Sequence, residues 1–263
     1  MSPIDELIPL LKKLRLTGVS RSLELRLDQA AEDNLAPAEF LVRLLSDEIE
    51  RREARQLELR LRRAGFEHGK TLETFDFHFN PAVPKAKVVD LATCTFIAQR
   101  RNVILIGPTG VGKSHLAQAI GHRACLSGYE VLAISAQDLF RQLRAARADA
   151  SVDRRLKKLS KPDLLIIDDL GLRPLTGDEQ LELYEVIRTR HERASTMVTS
   201  NRAIPEIHAI FADPLLAAAA MDRLLQNASV ITIEGDSYRN PPVRRRTSKR
   251  KSTKTPQPKK VTR

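Results

Sequence analysis

Residues Gly107-Pro108-Thr109-Gly110-Val111-Gly112-Lys113-Ser114 follow the pattern G-x-x-x-x-G-K-S. Glycines at this spacing let the backbone fold back so that successive N–H groups point at phosphate oxygens. Lys113 would bring a point charge to the β- and γ-phosphates, and Ser114 a hydroxyl ligand for Mg²⁺. Downstream, the aliphatic run Leu164-Leu165-Ile166-Ile167 ends in Asp168-Asp169. A carboxylate at the end of a buried strand is the partner such a loop needs. Asp168 is expected in the Mg²⁺ shell, and Asp169 is expected to orient or deprotonate an attacking water. Together the two stretches predict a site for a nucleoside triphosphate, ATP, with Mg²⁺.

The elements around them fit. Asn102 to Ile106 is an apolar, β-branched run that reads as a strand, and from His115 onward the spacing is helical without a breaker. The helix adds its positive N-terminal end to the phosphate cradle. Further strands are predicted at Glu130 to Ser135, Asp163 to Asp169, Ser195 to Asn201 and Ser229 to Ile233. Helices are predicted at Lys85 to Ala98, Gln137 to Ala148, Val152 to Leu159, Thr176 to Arg193 and Pro214 to Asn227. Alternation of this kind predicts an α/β fold, a P-loop core with a five-stranded parallel sheet and ligands at the strands' carboxyl ends. Too little chain follows Ile233 for a C-terminal helical lid.

Residues 1–66 read as a small all-helical domain. Ile4, Leu7, Ile8, Leu11 and Leu14 share one face, and a turn is expected at Thr17-Gly18. A second helix follows through Leu23, Leu25 and Leu27. A third starts at Ala36-Pro37, with proline near the first helical position, and ends at Gly65. Its arginine-rich second half is either a salt-bridged face or a docking arm for a neighbouring subunit, a partner protein or nucleic acid. Residues 67–100 form a linker and lead-in helix. Alternation of Phe75, Phe77 and Phe79 suggests an extended segment pinned onto the next domain, with packing favoured over base stacking. Residues 101–242 are the expected ATPase domain, and 243–263 a disordered basic tail.

Composition narrows the classes. No apolar run reaches the length of a membrane span, and the acidic N-terminus lacks a signal peptide's order. Cys94 and Cys125 are the only cysteines of the 263 residues, which argues against a disulfide framework or a metal cluster. A cytoplasmic protein is expected, nucleoid-associated when on DNA. The net charge is +11, yet ten of the 44 Lys and Arg residues lie in 243–263 without an acid. The rest of the chain holds 34 basic against 33 acidic residues. Such a tail suits a polyanion, nucleic acid above a solubility or targeting role.

The combination of motifs resembles an AAA+ ATPase, and more closely the IstB-type insertion-sequence ATPases, with DnaC-type helicase loaders as relatives. The resemblance rests on Phe75-Asp76-Phe77 with Asn80-Pro81, the phosphate loop running into His115-Leu116-Ala117, Leu164 to Gly171, Val198 to Arg202, Met221 to Leu224 and Asp236 to Arg239. It covers roughly residues 1–240. It implies that Gly107, Pro108, Thr109, Gly110, Val111, Gly112, Lys113, Ser114 and His115 bind the nucleotide. It implies that Asn201 senses the γ-phosphate and that Arg223 is an arginine finger reaching a neighbouring subunit's site. It also implies that the basic helices after the second strand, with Arg141, Arg144, Arg154, Arg155, Lys157 and Lys158, lie toward DNA. Asp169 departs from the glutamate usual in AAA+ proteins, and being shorter would make hydrolysis slow.

The family implies assembly as a homo-oligomer on duplex DNA, through nucleotide-site interfaces and the N-terminal helices, and assistance to a partner transposase. The competing readings are a helicase loader preferring single strands and a scaffold that binds ATP but barely hydrolyses it. A small-molecule kinase is a poor fourth, with no acceptor pocket in sight.

Overall fold

The computed structural model describes residues 3–238. The predicted tail at 243–263 lies outside these residues. Five parallel strands, β1 (Val103–Ile106), β2 (Val131–Ser135), β3 (Leu164–Asp168), β4 (Ser195–Ser200) and β5 (Ser229–Thr232), pair in the order β2-β3-β4-β1-β5. β4 is inserted between β1 and β3, so the strands carrying the phosphate loop and the aspartates are separated by one strand. β1 and β4 are buried along their whole length, and β3 up to its last residue, as both-face coverage requires. Fully buried side chains such as Ile104, Leu105 and Ile166 contribute roughly 2 kcal/mol each by leaving water.

One face of the sheet is covered by α6 (Lys113–Leu126), α4 (Lys85–Ala92) and α5 (Thr95–Ala98). The other is covered by α7 (Ala136–Ala148), α8 (Val152–Ser160), α9 (Gly177–Arg190), α10 (Ile204–His208) and α11 (Pro214–Leu225). The helix expected over Lys85 to Ala98 is thus two helices. Cys94 takes φ 62° between them and is itself buried. A kink there turns Phe96 and Ile97 into the core, which a continuous helix would not do.

The N-terminal unit comprises α1 (Pro3–Lys13), α2 (Thr17–Glu32) and α3 (Pro37–Ala64). The turn predicted at Thr17-Gly18 falls instead at Leu14 to Leu16, with Arg15 at φ 57°. Gly18 lies inside α2 because α3 passes close by: a Cβ there would stand 2.7 Å from Glu48 Cα. The buried Glu48 carboxylate accepts hydrogen bonds from the amides of Gly18 and Val19, satisfying donors at the start of α2. Leu7, Leu14, Leu25, Leu41, Leu45 and Ile49 are exposed, so only part of the apolar pattern is used within this unit. The far half of α3 leaves the bundle. Leu57, Leu61 and Ala64 pack into the core beneath α6 and β2.

Among the described residues no helix follows β5, and no helix is long and apolar enough to cross a membrane.

Candidate nucleotide-binding site

β1 ends at Ile106, and the chain turns through the phosphate loop into α6. Gly112 occupies the position before α6 with φ 98°, a left-handed conformation, and a Cβ there would meet the Phe75 ring at 2.7 Å. The loop and the first turn of α6 wall a cavity of about 290 Å³ with Thr109, Gly110, Val111, Gly112, Lys113, Ser114 and His115. Gly107 and Pro108 lie beneath it. Their carbonyls accept from Lys113 Nζ at 2.8 and 2.7 Å, and this holds the side chain of Lys113, a residue only 5% exposed, over the loop. The structure therefore brings together the whole predicted loop, most of it as wall and two residues as support.

The opposite wall comes from the linker. Lys70, Thr74, Phe75, Asp76, Phe79 and Asn80 line the cavity, joined by Tyr238 from beyond β5. The phenylalanine segment is not extended. Asp76 Oδ1 accepts from the amides of His78 at 2.8 Å and Phe79 at 3.2 Å, which curls it into a turn. Phe77 packs toward the core, while Phe75 and Phe79 also present surface to the cavity. Phe79 meets Tyr238 edge to face at 4.8 Å, and Tyr238 N donates to Gly110 O at 2.9 Å. His115 Nε2 donates to Thr71 O at 2.9 Å, tying α6 to the linker. An apolar end with rings beside a polar loop suits the base and phosphates of a nucleotide. Sequence reasoning favoured packing over base stacking for these rings, did not place them at the nucleotide site, and gave Tyr238 no role there.

The two aspartates part company. Asp168 is the last residue of β3, and Asp169 turns to φ 56°, left-handed and uncommon for a residue with a side chain. That turn delivers Asp169 to the phosphate-loop cavity, whereas Asp168 lines a neighbouring cavity on the β2 side. Thr199, fully buried on β4, holds both. Its Oγ1 donates to Asp168 Oδ1 at 2.5 Å and accepts from Asp169 N at 2.9 Å. Thr199 was not picked out from the sequence. Its one signal is a hydroxyl in the β4 pattern near the strand's end.

Asn201 is exposed directly after β4, next to Ser200, whose carbonyl accepts from Gly107 N at 3.2 Å. Arg223 is elsewhere. It sits in the last turn of α11, donates to Ala219 O at 2.8 Å and lies 5.4 Å from the Tyr184 ring. Its carbonyl accepts from Asn102, the residue before β1, at 3.3 Å. That is the amino end of the sheet, opposite the chain's own phosphate loop.

The six basic residues of the α7–α8 pair do not form one surface. Arg141, Arg155 and Lys158 line the cavity beside Asp168. Arg144 turns to α9, where Glu179 accepts its hydrogen bond at 3.1 Å. Arg154 and Lys157 are exposed. Glu179 also accepts from Arg173 at 2.7 and 2.8 Å, and the Arg173 guanidinium lowers its pKa to about 2 despite burial.

The parallel sheet, the phosphate loop after β1 and the two aspartates at the end of β3 define a P-loop nucleotide-binding protein. The chain belongs to the IstB-like ATP binding protein family, whose model matches residues 9–247. It is 38% identical over 236 residues to a Pseudomonas aeruginosa protein named for ATP binding and for the insertion sequence IS21, covering 90% of this chain and 89% of that one. It is 39% identical over 230 residues to an insertion-sequence protein of Mycobacterium tuberculosis also named for ATP binding, covering 87% and 92%. Among solved structures, DnaI is similar with a TM-score of 0.54 at 24% identity, over 62% of this chain and 90% of that one. The DnaC helicase loader gives 0.54 at 16%, over 63% and 97%. DnaA bound to AMPPCP and single-stranded DNA gives 0.55 at 22%; 65% of this chain matches about half, 52%, of that one. These likenesses concern the fold.

Proposed function

We propose that this protein is a slow, assembly-dependent ATPase that forms a homo-oligomer on duplex DNA and assists the transposase of an insertion sequence. Its relatives are named for insertion sequences and for ATP binding. The observation that carries assembly is the position of Arg223. It is held at the amino end of the sheet, away from its own phosphate loop. A finger there acts on a neighbour's nucleotide, so hydrolysis waits for contact between subunits.

Within one subunit, Lys113 and the loop amides hold the β- and γ-phosphates. Asp169 orients or deprotonates the attacking water, and Asn201 senses the γ-phosphate from the next strand end. Mg²⁺ would be held by Ser114, in the first turn of α6 and in the wall of the nucleotide cavity, and by the Asp168 carboxylate, which ends β3 at the border with the neighbouring cavity. Among the described residues no group of three or more His, Cys, Asp or Glu could hold a metal without the nucleotide. Mg²⁺ held by Ser114 and Asp168 would supply positive charge where negative charge develops on the phosphates. Arg141, Arg144, Arg154, Arg155, Lys157 and Lys158, the N-terminal helices and the tail are the proposed contacts to DNA and to other subunits. The protein is proposed to work in the cytoplasm, at the nucleoid when DNA-bound.

The test is the mass of the full-length protein on duplex and single-stranded DNA, with and without ATP and Mg²⁺. Large ATP-dependent assemblies on duplex DNA, lost in Lys113→Ala, are expected. Small assemblies preferring single strands would overturn the transposition reading in favour of a helicase loader.

A further inference from the structure

Gly171 follows Asp169 by two residues, Arg202 follows Asn201 directly, and the two meet: Arg202 Nε donates to Gly171 O. Around this bond the turns that end β3 and β4 are laced together. Leu170 N donates to Thr199 O at 2.9 Å, and Ser200 Oγ donates to Leu170 O at 2.7 Å. Arg202 N donates in turn to Ser200 Oγ at 3.1 Å. With the bond from Asp169 N to Thr199 Oγ1, each of Asp169, Leu170 and Gly171 is tied to a residue at the end of β4. Of residues 199–202 only Asn201 forms none of these bonds, and it is exposed. Arg202 is half-buried, and what holds its guanidinium is a backbone carbonyl, a contact that fixes a turn. A charged donor makes the stronger kind of hydrogen bond.

We propose that Arg202 is a positioning residue for hydrolysis: its bond to Gly171 fixes the reach of Asn201 over the nucleotide relative to Asp169. The inference rests on the proposed roles of Asn201 and Asp169. Thr199 already holds the Asp169 turn, so the part left to Arg202 is Asn201. Flanked by Ser200 and Arg202, both bound to the β3 turn, Asn201 cannot shift without carrying Leu170 and Gly171 with it. The sensor of the γ-phosphate and the group that orients water then move as one body. A misplacement of about 1 Å costs on the order of 10²-fold in rate. It leaves ATP affinity, which the phosphate loop supplies, largely intact.

The experiment measures ATP hydrolysis by the full-length protein on duplex DNA, with kcat per nucleotide site and KM for ATP obtained separately. Arg202→Met keeps the side-chain stem and removes the donor. Its kcat is expected to fall about 10–10²-fold, with KM within about 2-fold of native. Arg202→Gln places an uncharged N–H donor at the same reach as Nε and is expected to restore most of the rate. Rescue by Arg202→Lys but not by Arg202→Gln would show that charge matters rather than the bond to Gly171, and would overturn the proposal. On an Asn201→Ala background, Arg202→Met is expected to cost less than about 2-fold more, because no sensor remains to be placed. Losses that multiply in full would also overturn it. Thermal melting and the number of sites that bind a fluorescent ATP analogue identify a structural role. A fall in kcat that only follows the loss of folded sites contradicts positioning. If Asn201→Ala and Asp169→Asn both leave hydrolysis unchanged, the reading of the nucleotide site fails. If either slows it while Arg202→Met does not, that reading stands and this inference alone fails.

Discussion

Thr199 Oγ1 stands 2.5 Å from Asp168 Oδ1 and at the same time accepts from Asp169 N at 2.9 Å. One buried hydroxyl thus orients the carboxylate proposed for Mg²⁺ and fixes the backbone turn that sends Asp169 into the nucleotide cavity. Thr199→Val keeps the shape and removes both bonds. Loss of an outer-shell partner typically costs 10–100-fold in metal affinity or activity. We expect the Mg²⁺ concentration for half-maximal ATP hydrolysis to rise by about that factor, with recovery in Thr199→Ser. An unchanged Mg²⁺ requirement would remove Thr199 from the site.

Asp169→Asn tests the division of labour between the aspartates. Nucleotide and Mg²⁺ binding should persist while hydrolysis falls about 10²–10⁴-fold, the range for a lost general base. Asp168→Asn should instead weaken the response to Mg²⁺. Isothermal titration and a phosphate-release assay separate the two. Equal loss of binding in both variants would argue against separate roles.

Glu179, which closes a capping box with Thr176 at the start of α9 and is paired with Arg173, predicts an acid-sensitive helix start. Its folded pKa, about 2, lies below the ordinary 4.5, so its contribution is complete above about 4.5 and is lost as pH falls toward 2. Glu179→Gln should cost up to about 3 kcal/mol at neutral pH. The difference from the native protein should shrink in urea melts between pH 4.5 and 3. A constant difference across that range would show that the carboxylate charge is not what matters.

Arg190 is 1% exposed and donates to the carbonyls of Leu159 at 2.8 Å, Pro162 at 2.9 Å and Ser195 at 2.6 Å. It fastens the end of α8 to the starts of β3 and β4. Burial lowers its pKa to about 10, still well above neutral pH. Arg190→Met leaves those carbonyls unpaired and should cost roughly 3 kcal/mol. Chemical denaturation measures it, and a loss under 1 kcal/mol would contradict the role.

The phosphate loop and the Asp168-Asp169 run were legible because each is a local pattern of strand, turn and strand end. Thr199 was not, because its meeting with Asp168 depends on the β3–β4 register, in which Ile167 pairs with Val198. A register between strands some thirty residues apart leaves no periodic mark. The linker wall was missed for a similar reason: whether Phe75 and Phe79 pack or face a cavity depends on the Asp76 turn and on Tyr238, far along the chain. The turn at Leu14 to Leu16 was misplaced because Gly18 is a glycine for close approach of α3, not for bending. The break at Cys94 carries no glycine or proline to announce it.

Arg223 in trans is the central claim, and mixing two inactive variants tests it directly. Lys113→Ala lacks a working nucleotide site but keeps its finger, and Arg223→Ala keeps the site but lacks the finger. Each alone should hydrolyse ATP at least 10²-fold more slowly than the native protein on duplex DNA. Mixed in equal amounts, they should recover up to about a quarter of native activity, from interfaces where an intact site meets an intact Arg223. No recovery in mixtures shown to co-assemble would contradict the account.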